Sequence, residues 1–371
     1  MTVKRIGIVG GGGFFGARLV EMAQAREDVE TIPVLRSFRS LARISKLNVP
    51  VRRANTQDIA SLTEAFAGCD AVLNTTTGDW LGAQPDVERF LPAARQAGVR
   101  LFIHMSSAAV FGSVENSAIN DDSKPDGANW FLYAAEKGRA DEFLRAQMGK
   151  DSLRIVVLRP CLIWGPRSSW VTRPANELLM DRAWLTNNGE GICNLCHIDN
   201  LARYVFQVVK STSQQSGFYN VADTETITWL QYYESLAAGL GLPLDRVHLS
   251  PSQPVRLSPA VAAEWFKSQR LGYYFARWLI NRWSAENKSL LKWHLPALAG
   301  GDAAPPLNPS DSLAGQLPRK FTRETWSAHH THRKLSSDNF WRDFGRPQLT
   351  PFEESMRGTI AWLRFAGYAD Y

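Results

Sequence analysis

The stretch IGIVGGGGFFGARLV, residues 6–20, places an apolar run, a cluster of glycines and a second apolar pattern one after another. Residues 3–9, VKRIGIV, predict a buried strand, and the apolar spacing of FFGARLVEMAQAR, 14–26, predicts a helix. The glycines therefore lie at a strand-to-helix turn, and those that fit a G-x-x-G-x-x-G spacing are Gly10, Gly13 and Gly16. In such a turn the first glycine permits the tight bend, the second lets a pyrophosphate approach the backbone, and the third lets the helix pack closely. The stretch predicts a dinucleotide site.

Strands and helices alternate along the next eighty residues. The predicted strands are ETIPVLR (30–36), VPVRRA (49–54), CDAVLNTT (69–76) and VRLFIHMSS (99–107). The helical patterns are IASLTEAFAG (59–68) and PDVERFLPAARQAG (85–98). This alternation predicts an α/β fold with a doubly wound parallel sheet of the Rossmann type.

The end of the second predicted strand bears on the cofactor. A carboxylate there bonds the ribose hydroxyls of NAD, whereas an arginine accepts the 2′-phosphate of NADP. The sequence reads Leu35-Arg36-Ser37-Phe38-Arg39, without an acid. We therefore expect NADP to be preferred, with Arg36 and Arg39 as the phosphate contacts and NAD as the alternative cofactor. Two alternatives give these arginines no part in cofactor preference. In one, both are only exposed to solvent in a loop; in the other, Arg36 stacks on adenine in either cofactor.

Composition is that of a folded protein. The chain has 371 residues, of which 44% are hydrophobic and 21% charged, and its net charge is +6. The N-terminal residues form neither a signal peptide nor a spanning segment, so we expect a cytoplasmic protein. Four cysteines do not make a disulfide framework. No zinc-finger, basic-zipper or RNP pattern is present, so we expect no nucleic-acid partner.

A serine followed by a Tyr-x-x-x-Lys pair supplies the candidate chemistry. HMSSAAVFG (104–112) precedes YAAEK (133–137), which lies on a predicted helix. A spacing of four residues puts Tyr133 and Lys137 on one helix face, where the ammonium can lower the phenol pKa and hold a nicotinamide ribose. A serine hydroxyl can bind the substrate oxygen that gains or loses charge.

These motifs together resemble the extended short-chain dehydrogenases/reductases of the NAD-dependent epimerase/dehydratase family. The resemblance covers roughly residues 3–225 and includes GGGGFFG, CDAVLNTTTG, MSSAAVFG, YAAEK, VVLRPCLIWGP and CHIDNLARYVFQVV. It implies that Ser107 is the catalytic serine, Tyr133 the acid/base and Lys137 the ribose-binding lysine. The closing residues resemble the hydroxysteroid dehydrogenase branch, whose substrates are apolar.

The resemblance also implies a set of cofactor contacts. The adenine-contacting aspartate of the family falls on Asn55, and Asp58 then reads as the N-cap of the next helix. The remaining residues expected at the cofactor are Phe14, Phe15, Thr56, Thr75 and Pro160. Hydride transfer in this family needs no metal, and we expect none.

Departures from the family pattern reduce the number of reactions and substrates that we expect for this chain. Family dehydratases carry an acidic pair after the catalytic serine, where this chain has Ala108 and Ala109. Nucleotide-sugar enzymes carry an arginine where this chain has Cys193 and Asn194. We therefore expect an oxidoreductase acting on a ketone or secondary alcohol of a small, apolar or sugar-like molecule. The alternatives are a nucleotide-sugar epimerase that retains NAD and a cofactor-binding regulator without catalysis.

The domain organisation follows from these motifs. We expect a cofactor domain over 1–165 that also takes 189–222, and a smaller, mostly C-terminal α/β substrate region from 166–188 and 223–371, with a Gly/Pro/Ser-rich linker at 300–318. The aromatic and basic segment 265–293 reads as a helix packed on its own domain, a lid, or a peripheral contact with the inner membrane face. Family resemblance implies a homodimer through two helices of the cofactor domain.

Two short patterns invite other interpretations. CNLCH (193–197) fits the attachment pattern of c-type haem, but it lies in a predicted strand and we discount it. HHTH (329–332) has no acidic or cysteine partner, so we expect its histidines to be solvated rather than to bind a metal.

Overall fold

The computed structural model describes residues 4–76, 82–112, 120–121, 123–125, 131–252 and 323–368, without the side chains of residues 38, 39, 323 and 324. The segment 265–293, interpreted from the sequence as a packed helix, a lid or a membrane contact, and the Gly/Pro/Ser-rich linker at 300–318 lie outside these residues. The expected homodimer stays a prediction. Within the described ranges, no helix combines the length and the hydropathy needed to cross a bilayer.

A parallel sheet of seven strands forms the centre of the described structure. Its strands are β1 (Lys4–Val9), β2 (Val29–Leu35), β3 (Arg52–Arg53), β4 (Ala71–Asn74), β5 (Leu101–Met105), β6 (Arg154–Pro160) and β10 (Gly217–Val221). They lie side by side in the order β10-β6-β5-β4-β1-β2-β3. Ile6 of β1 pairs with Thr31 of β2 on one side and Ala71 of β4 on the other. Because both faces are covered by helices, these strands are nearly continuous apolar runs. The predicted doubly wound Rossmann-type sheet is confirmed.

The third strand is shorter than the sequence suggested. The run 49–54 yields only Arg52–Arg53, at the edge of the sheet. Arg52 turns its guanidinium to the carbonyl oxygens of Ala65 and Ala67, 2.9 and 2.6 Å away. This edge is therefore capped by a charged side chain rather than extended by further pairing.

Helices pack on both faces of the sheet and enclose two apolar cores. One face carries α1 (Phe14–Ala23) and α6 (Ile198–Lys210), and the other carries α2 (Ile59–Phe66), α3 (Ala83–Gln96) and α4 (Leu132–Gln147). The predicted helix cap at Asp58 is confirmed, since its carboxylate accepts a hydrogen bond from the Ala60 amide at 3.0 Å.

A third apolar core lies outside the main sheet. It joins α5 (Ser169–Leu179), α7 (Trp229–Gly239) and α10 (Phe352–Phe365) with short strand pairs. Those pairs are β7 (Leu162–Trp164) with β9 (Leu195–His197), and β8 (Ala183–Leu185) with β11 (Val247–Leu249). Two further helices follow residue 322, α8 (Arg323–His329) and α9 (Asp338–Phe344), and α9 packs on β10 of the main sheet.

Candidate active site

The glycine turn joins β1 to α1 with no room for larger residues. Gly10 has a φ of +84°, which is left-handed, and a Cβ there would lie 2.6 Å from the Thr75 hydroxyl oxygen. A Cβ on Gly16 would overlap the carbonyl oxygen of Gly10. Gly13 caps α1 without a side chain, and no acid lies in the first turn of the helix. The bare helix N-terminus is suited to a phosphate group.

One cavity of about 1380 Å³ extends from this turn along the carboxyl edge of the sheet. The volume exceeds the roughly 300–1,000 Å³ of an ordinary ligand pocket, as expected for a site that takes a dinucleotide and a substrate. The predicted residues that line it are Gly10, Gly13, Phe14, Phe15, Arg36, Thr56, Thr75, Ser107, Tyr133, Lys137 and Pro160. Most of the predicted site residues therefore share one cavity.

Two of the predicted cofactor residues whose side chains are described, Gly16 and Asn55, do not line this cavity. Gly16 lies behind the turn, where it allows the close packing described above. Asn55 is exposed, and its side-chain oxygen accepts a hydrogen bond from the Gln57 amide at 3.1 Å, so it shapes the turn before α2 while Thr56 and Gln57 line the cavity. The expected adenine contact of Asn55 is thus not supported by its placement. The Arg39 side chain lies outside the described atoms.

Sequence reasoning missed Arg43. A 3₁₀ helix over Phe38–Arg43 folds back onto the glycine turn, so closely that a Cβ on Gly12 would overlap the carbonyl oxygen of Ser40. This contact places the exposed Arg43 on the cavity wall together with Arg36, which follows β2. The sequence shows an arginine-rich stretch after β2, but only the packing of the 3₁₀ helix selects Arg43.

Ser107 and Tyr133 meet in the middle of the cavity. Ser107 follows β5 and caps the 3₁₀ helix Ala108–Phe111, where its oxygen accepts a hydrogen bond from the Ala109 amide at 3.2 Å. Tyr133 lies in the first turn of α4 and hydrogen-bonds the Ser107 side chain. The pair can therefore contact one substrate oxygen from two sides.

Lys137, one helical turn beyond Tyr133, is buried and held by backbone carbonyls. Its ammonium donates to the Met105 oxygen at 2.7 Å and to the Thr76 oxygen at 3.1 Å. Burial lowers the pKa of Lys137 to about 8, against the opposing charges of Asp141 and Asp86. The lysine is thus fixed between the ends of β4 and β5.

A chain of buried polar groups orients the Thr76 carbonyl. The Asn74 side-chain oxygen accepts from the Thr76 hydroxyl at 2.7 Å and from the Thr76 amide at 3.0 Å. The Asn74 amide nitrogen lies 3.1 Å from Nδ1 of His104. This support could not be predicted from sequence patterns, because Asn74 and His104 lie on different strands.

The pKa of Tyr133 departs from the sequence expectation. Burial raises the pKa of the phenol, and the Ser107 hydrogen bond opposes this shift. The expected lowering by Lys137 is not found, since the ammonium is directed to the carbonyls of Met105 and Thr76. The phenol is therefore protonated at neutral pH and ready to donate.

The far end of the cavity is built from elements outside the main sheet. Trp170 of α5, Trp229 of α7 and Ile192 give it an apolar wall, and the segment 327–335, which begins in the last turn of α8, closes it. The indole of Trp229 donates to the Ala328 oxygen at 2.8 Å, and a Cβ on Gly191 would overlap the His329 oxygen.

His329 corrects a sequence expectation. The side chain is buried, and its Nδ1 accepts a hydrogen bond from the Thr186 amide at 3.3 Å. Burial lowers the pKa of His329 to about 3, so the ring is neutral. The expectation that 329–332 is solvated is wrong for this histidine, because α8 packs it beside Trp229. Among the residues that the structure describes, no cluster of histidine, cysteine and acidic side chains is arranged to hold a metal ion.

The pattern CNLCH is likewise structural. Cys193 and Cys196 are buried, which raises the pKa of both thiols. The His197 ring caps α6 by accepting from the Asp199 amide at 3.3 Å. Cys193 packs in the third apolar core, whereas Cys196 packs in the core that contains α1 and α6.

Comparison with known proteins places this geometry in a family. Residues 6–222 match the model of the NAD dependent epimerase/dehydratase family, which is more than half of the chain. The chain belongs to the NAD-dependent epimerase/dehydratase family. Members of this family are enzymes, and the predicted resemblance is confirmed.

Relatives of this family member include oxidoreductases. It is 21% identical over 272 residues to a sterol-4-alpha-carboxylate 3-dehydrogenase (decarboxylating) of Dictyostelium discoideum, with 69% of this chain and 82% of that protein covered. It is 26% identical over 257 residues to a 2-alkyl-3-oxoalkanoate reductase of Stenotrophomonas maltophilia (strain K279a), with coverage of 64% and 76%. The crystal structure of a dTDP-glucose 4,6-dehydratase from Bacillus anthracis in complex with NAD superposes with a TM-score of 0.67 at 12% identity, covering 99% of both chains. That likeness shows the shared fold.

Proposed function

We propose that this family member is an NADP-preferring oxidoreductase that moves a hydride between the nicotinamide and the carbon of a ketone or secondary alcohol. The observation that carries the proposal is the meeting of Ser107, Tyr133 and Lys137 in the middle of the cavity that begins at the glycine turn. A dinucleotide fits this turn, because Gly10, Gly12 and Gly13 line the cavity without side chains.

The chain supplies proton transfer and positioning. When bound, the nicotinamide would donate or accept the hydride at the substrate carbon. During reduction, the Tyr133 hydroxyl gives its proton to the substrate oxygen, and the Ser107 hydroxyl hydrogen-bonds the same oxygen as negative charge develops. Lys137, fixed by Met105 and Thr76, is placed to hold the ribose.

The cavity charge supports NADP over NAD. Arg36 and Arg43 both line the end of the cavity beside β2, where a carboxylate would favour NAD. Of the described lining residues, Asp86 alone is acidic, and it is paired with Arg89 at 2.9 Å near Lys137 rather than near β2. An arginine pair can hold the 2′-phosphate by charge-assisted hydrogen bonds.

The far wall supports an apolar substrate. Trp170, Trp229 and Ile192 offer aromatic and aliphatic surface for a ring or an alkyl chain. The two relatives compared above are named for a sterol and for an alkyl-substituted ketone. Ala108 and Ala109 provide no carboxylate to eliminate water, which argues against dehydration.

An epimerase is the second candidate, since its family uses the same catalytic groups and this chain matches the family model over residues 6–222. An epimerase would oxidise and re-reduce one carbon and would keep its cofactor. The two functions therefore differ in cofactor retention and in net turnover.

The test is to purify the protein without added nucleotide, denature it, and identify the released molecules by mass spectrometry. The cofactor-free protein would then be titrated with NADPH and NADH and assayed for NADPH oxidation with apolar ketones. An empty protein that binds NADPH more tightly and consumes it supports the oxidoreductase. Stoichiometric NAD without net turnover would replace it with the epimerase.

A further inference from the structure

The substrate end of the cavity carries positive charge on an apolar wall. Beyond Tyr133, the charged lining residues that the structure describes are Arg167 and Arg333, and no acid lines this end. The aromatic residues Trp170 and Trp229 lie on the same wall. Neither arginine belongs to the glycine turn or to the catalytic group, so the proposed reaction leaves both without a role.

Arg167 is held in an unfavourable backbone conformation. Its φ is +72°, and a side chain in the left-handed region costs about 1–2 kcal/mol relative to glycine. The residue lies between β7 and α5 and is exposed at the cavity rim, and the hydrogen bonds and ion pairs of the described residues give it no partner. Such strain at a cavity points to a functional side chain rather than to a packing requirement.

Arg333 is brought to this cavity wall by Asn194. The Asn194 side-chain oxygen accepts from the Leu335 amide at 2.8 Å, and its nitrogen donates to the Arg333 carbonyl at 2.8 Å. The Ile192 amide also donates to the Thr331 oxygen at 2.6 Å. The backbone on both sides of Arg333 is thus fixed, while the ammonium of the next residue, Lys334, binds the Asp223 carbonyl.

From the sequence alone, Asn194 marks a position where nucleotide-sugar enzymes have an arginine and this chain has none. The structure shows instead that the nitrogen and the oxygen of this amide both hold another segment against the cavity. The positive charge at this end of the cavity therefore comes from Arg167 and from Arg333, which lies 139 positions after Asn194 in the chain.

We propose that Arg167 and Arg333 bind an anionic group of the substrate, so that the substrate is an apolar molecule carrying a carboxylate or a phosphate. This inference rests on the proposed function, because it assigns the substrate of the same cavity. Guanidinium groups match the oxygen atoms of both anions with two parallel hydrogen bonds. The cofactor phosphates would lie at the glycine turn, so this end remains for the substrate.

Binding rather than turnover provides the test. With NADPH at saturation, isothermal titration calorimetry would compare 3-hydroxydodecanoate, its methyl ester and dodecyl phosphate, each below its micelle concentration. We expect the carboxylate to bind at least about tenfold more tightly than the neutral ester, as a charged hydrogen bond implies. Dodecyl phosphate distinguishes the two anions, since the group that binds more tightly is the one the site prefers.

Variants assign the effect to the two arginines. R167Q and R333Q should each weaken binding of the anionic probes about tenfold, leave the ester unchanged, and leave NADPH affinity unchanged. R333K should recover part of the loss. R357Q, at an exposed arginine of α10 outside the cavity, is the matched control.

Three results would overturn the proposal. They are equal binding of acid and ester by the wild type, no binding of either anionic probe, and variants that lose NADPH affinity while keeping that of the probes. Because no step of the measurement needs turnover, an enzyme that reduces none of the ketones tried would contradict the proposed function without affecting this test.

Discussion

The ammonium of Lys137 on α4 lies 2.7 Å from the carbonyl oxygen of Met105, the last residue of β5. This contact is made inside the protein, where burial lowers the lysine pKa from 10.5 to about 8. Between these two values the unfolded chain still binds a proton that the folded chain has released, so the contribution of Lys137 to stability rises with pH. Below pH 8 Lys137 is protonated in both the folded and the unfolded chain, so the free-energy cost of burying its charge does not change with pH.

A titration of stability checks this linkage. From pH 8 to 10.5 the free energy of unfolding of the wild type should rise relative to K137M by about 3 kcal/mol in the absence of cofactor. Urea denaturation at several pH values would measure the difference. K150M, at an exposed lysine, is the control, and its difference in unfolding free energy from the wild type should not show this rise. A difference between the wild type and K137M that falls with pH would contradict the lowered pKa of Lys137.

Replacement of the Tyr133 hydroxyl should remove proton transfer without disturbing the fold. We expect Y133F to lower kcat by a factor of about 10²–10⁴, because the phenol is the proton donor in the proposed reduction. The thermal midpoint and NADPH affinity should stay near those of the wild type. Y368F, near the end of α10 and outside the cavity, serves as control. Full activity of Y133F would remove Tyr133 from the mechanism.

Removal of one partner of the buried ion pair between Asp141 and Arg159 should be strongly destabilising. Both side chains are fully buried and lie 2.9 Å apart, and Arg159 also donates to the carbonyls of Asp121 and Ser123 beside the site. D141N leaves a buried guanidinium without its counter-charge, so we expect a loss of about 3–5 kcal/mol in the free energy of unfolding.

Chemical denaturation would measure that loss. R173A removes an exposed arginine that lies 3.1 Å from Glu177, and it should cost under about 1 kcal/mol. Similar losses for D141N and R173A would show that burial does not control the strength of these pairs.

Two glycines of similar helical backbone should respond oppositely to alanine. In G16A the added Cβ overlaps the Gly10 carbonyl, so we expect lower stability and loss of cofactor binding. In G358A, on α10, the added Cβ meets no atom within 4 Å, and stability should rise by about 0.5–1 kcal/mol. Thermal melts and NADPH titration would compare them. Unimpaired NADPH binding by G16A would contradict the close-packing argument.

Cofactor preference should depend on Arg36 and Arg43 together. The double variant R36Q/R43Q should weaken NADPH binding about tenfold or more and leave NADH binding unchanged, since only NADPH carries the 2′-phosphate. Fluorescence titration would measure both affinities. R53Q, at an exposed arginine of β3 that does not line the cavity, should change neither. Equal weakening of both cofactors would contradict a phosphate contact.

Local sequence patterns were sufficient to predict the cofactor-binding half of the fold. β1, β4 and β5 are buried apolar runs, and the glycine turn has a spacing that few other structures require. Tyr133 and Lys137 could be predicted as a pair because their separation is one helical turn. The placement of these elements follows from short-range periodicity.

Contacts between distant parts of the chain could not be predicted in this way. The burial of His329 depends on Trp229, a hundred residues earlier, and the location of Arg43 depends on how a 3₁₀ helix meets Gly12. The raised pKa of Tyr133 comes from its burial in the folded protein, which the Ser107 hydrogen bond only partly opposes. None of these has a pattern in the neighbouring sequence.

The hydrogen bonds from Asn194 to the backbone of residues 333 and 335 also bear on the order in which the protein is completed during synthesis. The glycine turn, Ser107, Tyr133 and Lys137 all leave the ribosome before the segment that closes the far wall. Domains fold as units while translation proceeds, and a bound ligand stabilises whatever part binds it. Because α9 also packs on β10, and Phe340 and Phe344 belong to the core beside α1 and α6, one face of the main sheet and the far wall of the cavity are both completed only by the last part of the chain to be translated.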